Sequence, residues 1–260
     1  MRCLLFSVTV ILFCFSCKKT VVTPPEELPP LNGIPNSGAS LRINVNHVVD
    51  GTPLALNTAT YVTAANDTFS VKLFKYYLTN ISLSNDAGQT IAIPGTYYLV
   101  DEALPASKTF TLQNVPVGEY QSISFLIGVD SAKNVSGAQA GVLDPVYGMF
   151  WDWNSGYIMA KMEGYSPQSG SNIKDLSFHI GGYNGPNKGV RRINLNFPMK
   201  AHVHAEHQSQ VNMSGDLAKW FSGVNSVDFN TTYFVGNISA KSRSIAENYT
   251  YMFTVTSVVN

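Results

Sequence analysis

Beyond Cys17 the chain has no cysteine: the three in its 260 residues are Cys3, Cys14 and Cys17. That excludes a disulfide framework, a thiol nucleophile and a thiolate metal site for the body of the protein. Charge is scarce too. Charged residues make up 13% of the chain and the formal net charge is zero, so no basic stripe exists for nucleic acid or anionic lipid. Sustained helical periodicity is nearly missing. The short motifs of catalysis are missing as well: there is no GxSxG, no HExxH and no glycine-rich phosphate loop. Asp144, Asp152 and Glu163 read as loop carboxylates that cap backbone N–H groups rather than as an acid–base pair. The chain therefore reads as a non-enzyme.

What is present is a strand-forming alphabet. Apolar residues make up 45% of the chain, enough over positions 41–260 for a core without cross-links. Leu41, Ile43, Val45 and Val49 alternate on one face before Gly51-Thr52-Pro53 ends the run. Phe69 to Leu83, Ile91 to Val100, Phe110 to Val115 and Tyr120 to Val129 follow, each bounded by turn residues. Asp175 to Ile180, Arg191 to Phe197, Ala201 to Met213 and Tyr249 to Val259 complete the set. One short helix is expected over Ser214 to Phe221, capped by Ser214, with Leu217, Trp220 and Phe221 turned inward. A single turn after Asp130 is also expected. The predicted fold is all-β: a two-layer antiparallel β-sandwich with at most one or two short helices.

The N-terminus reads as an export segment. Arg2 precedes an apolar run from Leu4 to Phe15 that is too short to span a bilayer, and Ser16-Cys17 follows. This is the pattern of a bacterial lipoprotein signal over residues 1–16, with Cys17 as the lipidated residue. Residues 17–40, with Pro24, Pro25, Pro29, Pro30 and Pro35, form a tether. The implied location is the cell envelope, lipid-anchored, at the outer membrane.

Histidines are few, and three of the five lie in AHVHAEH. In a strand His202 and His204 share a face, about 6–7 Å apart, a spacing at which two imidazoles can share copper or zinc. Glu206 shares that face, and His207 reaches in if the strand turns at Ala205. The alternative is a polar strand face in solvent. His179 stands between Phe178 and Ile180 and faces away from both, with Gly181-Gly182 beside it. It is either a ligand or a buried histidine satisfied by a carbonyl. His47 has the parity of Leu41, Ile43 and Val45 and points toward the core.

The densest feature is Leu143 to Gly164, LDPVYGMFWDWNSGYIMAKMEG, which holds Trp151 and Trp153, two of the three tryptophans. Tyr147, Phe150 and Tyr157 crowd them, and no simple period fits. This block resembles the GMFWxWNSGYxxxKxEG segment of the copper-binding MbnP-like family. The resemblance extends through FKYYLTNISL (Phe74 to Leu83), YLVD (Tyr98 to Asp101), VPVGEY (Val115 to Tyr120), FLIGVD (Phe125 to Asp130) and FHIGGY (Phe178 to Tyr183), in the family's order. It implies a copper-binding protein in which a tryptophan, here Trp151 or Trp153, is oxidised to kynurenine by a di-haem peroxidase-like partner, with two histidines completing the site. His179 belongs to the family's FHxG pattern. The expected pair is His179 with His47, and the rival set is His202, His204 and His207. A separate reading is a glycan-binding or adhesion sandwich with Trp151, Trp153, Tyr147 and Tyr157 as a stacking platform.

Overall fold

Alternation in the first strand sets the architecture. In β1 (Ser40–Val49) Leu41, Ile43, Val45, His47 and Val49 are buried, while Arg42 and Asn46 are exposed. Successive side chains leave a strand on opposite faces, so β1 presents one apolar face with a histidine set into it. The computed structural model describes residues 38–152 and 154–260. The export segment, Cys17, almost all of the 17–40 tether and Trp153 lie outside the described residues.

After β1 come β2 (Thr52–Pro53), β3 (Tyr61–Val62), β4 (Thr68–Asn85), β5 (Thr90–Ala92), β6 (Tyr97–Asp101), β7 (Thr109–Gln113) and β8 (Gly118–Ile127). Helix α1 (Ser131–Val135), β9 (Phe150–Asp152), β10 (Gly156–Tyr165), β11 (Asp175–Gly181), β12 (Arg191–Val203) and β13 (Ser209–Asp216) follow. The chain ends with β14 (Phe234–Val235), helix α2 (Ala240–Tyr249) and β15 (Phe253–Val259). The smaller sheet has the order β15-β13-β1-β2, with β7 also on β1. The larger has the order β12-β8-β4-β10-β11-β14, with β3, β5 and β6 also on β4 and β9 on β10. The inner faces share one core, with Leu41, Ile43 and Val45 from β1 and Phe74, Tyr76, Phe125 and Phe178 from the larger sheet. The fold is the expected all-β sandwich. Most pairings are antiparallel; β1 with β13 and β11 with β14 are parallel.

The long strand β4 positions everything that follows. Tyr76, Tyr77, Leu78 and Thr79 are four consecutive buried residues, so both faces of the sheet are covered there. Tyr76 and Leu78 belong to the inter-sheet core. Tyr77 belongs to a second apolar cluster on the outer face, with Val129, Leu143, Met149, Tyr157, Ile158 and Met159. The Leu143–Gly164 block therefore builds a small core of its own. Short 3-10 turns at Gly141–Leu143 and Pro145–Tyr147 lead into the β9–β10 hairpin. Mixed turns and short strands explain why no single period fits that stretch.

Three expectations need correction. The expected Ser214–Phe221 helix is a 3-10 turn, Leu217–Trp220, capped by Asp216 rather than Ser214. Its inward residues, Leu217, Trp220 and Phe221, are buried as expected. The expected strand Ala201–Met213 is two strands, because β12 ends at Val203 and the chain loops before β13. Helix α2 went unseen. Its sequence is polar, and its capping box uses Ser239 and Ser242 in place of the usual acidic partner, so only Ile245, Ala246 and Tyr249 mark an apolar face. The turn after Asp130 is α1, capped by the Asp130 side chain.

Candidate metal centre

Strands β10 and β11 pair so that Lys161 faces His179 and Glu163 faces Ser177. The intervening pair, Met162 with Phe178, points into the core. The first four side chains therefore share the outer face of the larger sheet. His179 Nε2 lies 2.9 Å from Glu163 Oε1 and 3.3 Å from Ser177 Oγ. Lys161 Nζ is 3.3 Å from the same Glu163 oxygen. It also donates to the carbonyl of Gly148 at 3.4 Å, at the start of the GMFW segment.

Electrostatics fix the protonation of this group. Burial lowers the His179 pKa, and the nearby Lys161 charge adds to that, outweighing the hydrogen bond to Glu163. Burial pushes Glu163 up, but hydrogen bonds and charge from His179 and Lys161 outweigh it and hold the carboxyl below its usual range. At neutral pH His179 is thus a neutral imidazole beside an ionised carboxylate. The hydrogen bonds place its proton on Nε2, which donates to Glu163. The lone pair is then on Nδ1, which no hydrogen bond among the described residues engages. A neutral imidazole with its N–H held by a carboxylate and its other nitrogen open is the arrangement metal-binding histidines adopt.

Trp151 lies beside it. A Cβ built on Gly181 would meet Trp151 Cζ3 at 2.2 Å, so the indole rests on the bare backbone of that glycine. Gly181 is two residues from His179 on the same face of β11, about 7 Å along the strand. Trp151 is half-buried against the outer cluster. It also borders a cleft of about 380 Å³ with Asp152, Ser155, Asn237 and Ile238. Tyr157 is fully buried and donates to the carbonyl of Leu143 at 2.9 Å.

The expected partner His47 is not brought to this place. Its ring packs edge-on against Phe74 and Tyr76, which point into the inter-sheet core. His179 lies on the opposite face of that sheet. Both nitrogens of His47 are also occupied: Nδ1 is 2.5 Å from Glu102 Oε2, and Nε2 is 2.7 Å from the Tyr76 hydroxyl. Lys108 completes the network, 3.0 Å from Glu102 Oε1. Burial lowers the His47 pKa in spite of Glu102. Glu102 is pushed up by burial, but hydrogen bonds from His47 and Lys108 leave it lowered. Neutral His47 therefore donates from Nδ1 to Glu102 and accepts from Tyr76 at Nε2. No lone pair remains for a metal.

The rival histidines do meet. The rings of His202 and His204 lie 6.5 Å apart between centroids. His204, Glu206 and His207 are exposed in the loop between β12 and β13. Among the described residues no three His, Cys, Asp or Glu side chains gather in a metal-holding group. At His179 the residues present offer one open imidazole nitrogen, with Glu163 taken up by the other, so a copper ion there needs further donors.

Sequence reasoning singled out His179 and Trp151 but not the roles of Lys161 and Glu163. Their signal was the period-two spacing of K-x-E opposite S-x-H, which becomes legible only with the β10–β11 register.

The MbnP family model matches residues 38–242. Among solved structures, MbnP from Methylosinus trichosporium is similar over 78% of this chain and 82% of that chain, with a TM-score of 0.51 and 17% identity. At that identity the likeness speaks to the fold. No curated protein matches the sequence.

Proposed function

The chain belongs to the MbnP family, and from that premise we propose that it is an exported copper-binding protein, not an enzyme, that captures or hands on copper at the cell envelope. The observation that carries this reading is His179: a neutral imidazole on a sheet face, its Nε2–H held by Glu163 and its Nδ1 open, with Trp151 packed over Gly181 two residues along the same strand. Imidazole suits copper. His179 would hold the ion, with Glu163 orienting the ring and keeping it basic. The half-buried surround of Trp151 and the outer cluster would limit water.

The incomplete donor set is where a tryptophan modification fits. An indole offers a metal nothing, because its N–H is only a donor. Oxidation to kynurenine would add an aromatic amine and a ketone at that position. Trp151 and Trp153 are the two candidates, and a di-haem peroxidase-like protein is the implied oxidant. The protein would be held at the outer membrane by acyl chains on Cys17. The glycan-platform reading needs aromatic rings standing free, whereas Tyr157 is buried and Trp151 rests on Gly181.

The test is expression of the full chain with and without the di-haem partner, followed by metal analysis and peptide mapping. The expected result is bound copper and an altered tryptophan at position 151 or 153 only with the partner present. Unaltered tryptophans together with absent copper would overturn the reading. For the anchor, Cys17→Ala is expected to abolish fatty-acid labelling and membrane partition; retention of both would contradict it.

A further inference from the structure

The AHVHAEH segment is not used by the site above, and its geometry is that of a chelate. We propose that His202 and His204 form a second, surface metal site for a divalent ion of borderline softness, Cu2+ or Zn2+. It is independent of the His179 site and does not rest on that reading. A metal–nitrogen bond of about 2.0–2.1 Å places an imidazole centroid roughly 3.2 Å from the ion, so two rings on one ion stand up to about 6.4 Å apart. The two centroids are already 6.5 Å apart at an interplanar angle of 65°. For a tetrahedral ion the centroids must close to about 5 Å, which turning the exposed His204 side chain would have to supply.

The backbone beneath is fixed, which keeps the ordering cost of chelation low. Ala201 and Val203, the residues alternating with the two histidines, are fully buried. The His202 amide donates to Asn260 Oδ1 at 2.8 Å, and its carbonyl accepts from Ser209 Oγ at 2.5 Å. Gln208 Nε2 ties the far side of the loop to Ser40 Oγ at 2.7 Å. His207 and Glu206 stand exposed within this clamped loop. Glu119, opposite His202 in the β8–β12 register, is paired with Lys200. The pair is a two-imidazole set, and water or His207 completes the coordination of an ion with four ligands.

The two sites lie at opposite ends of the larger sheet. His202 pairs with Glu119 near the start of β8, whereas Gly128, just past its end, abuts Met159 of the outer cluster. The eight steps from Glu119 to Ile127 span about 26 Å. Binding at one end is therefore separable from binding at the other.

The experiment uses the full chain and two probes. In the unaltered protein, substoichiometric Cu2+ is added while backbone amide NMR signals are followed; broadening of residues 202–208 is expected as a set separate from any around Gly181. In Zn2+ calorimetry, H202N/H204N is expected to weaken binding by at least about tenfold, since even orienting residues around a metal are worth that much. Unchanged Zn2+ affinity in H202N/H204N, or absence of broadening at 202–208, would each overturn the proposal.

Discussion

His47 and His179 are the same chemical device in two settings. Each imidazole donates one N–H to a glutamate, and each glutamate is also held by a lysine. They differ in the second nitrogen. His47 sits between the sheets and gives its lone pair to the Tyr76 hydroxyl. His179 sits on an outer face, and no described residue claims its Nδ1. A histidine–carboxylate pair alone therefore does not mark a metal ligand. A metal also needs a remaining lone pair: His47 has none left, whereas no hydrogen bond among the described residues takes the Nδ1 of His179.

The largest effect should come from removing the core member. His47→Ala leaves a cavity, an orphaned Tyr76 hydroxyl and a Glu102 carboxylate held by Lys108 alone. The expected loss in urea unfolding is about 3 kcal/mol, with copper affinity unaltered in the folded protein. A loss below about 1 kcal/mol, the value of an ordinary hydrogen bond, would erase the distinction drawn here.

Next is the platform beside His179. Gly181→Ala places a methyl group 2.2 Å from the Trp151 ring. The ring must leave, at a cost of about 1–3 kcal/mol for overpacking. Its fluorescence should shift to the red, and copper affinity should fall with it. Full copper affinity with a displaced Trp151 would separate the tryptophan from the site.

Acid should sharpen the comparison further. The folded state holds His47 and Glu102 below their ordinary pKa values. Below about pH 6.5 the unfolded chain takes up a proton on this histidine more readily than the folded one, so stability falls as pH drops. Glu102 adds a further loss once pH falls through the carboxylate range. His179 and Glu163 carry the same signs, but they are more exposed and more screened. The acid slope should flatten in His47→Gln and change little in His179→Gln; equal flattening in both would break the contrast.

The smallest change in stability is expected from Glu163→Gln, within about 1 kcal/mol for a partly exposed pair. Copper affinity should nevertheless fall about tenfold, as for other residues that orient a metal-binding histidine. Unchanged affinity would remove Glu163 from the site.

The sandwich was legible because the strands carry it locally. The inward parity of Leu41, Ile43, Val45 and His47 was readable from period two alone. The His47–His179 pairing was not, because parity gives a face but not which sheet faces which. His47 points into the core from one sheet, and His179 points out of the other. The outer cluster was hidden for a related reason: consecutive buried residues such as Tyr76 and Tyr77 show no alternation when both faces are covered. The His202–His204 closeness was readable from their spacing, although β12 ends at Val203 and His204 is the first residue of the loop.

On the proposed reading the open imidazole on the outer face, not the buried one, holds copper. It is tested most directly by competitive copper titration of His179→Ala and His47→Gln beside the parent, each isolated with its di-haem partner and confirmed as folded. At least about a tenfold loss is expected in His179→Ala, with parent affinity in His47→Gln. Parent affinity in His179→Ala, or loss of copper in a folded His47→Gln, would contradict it.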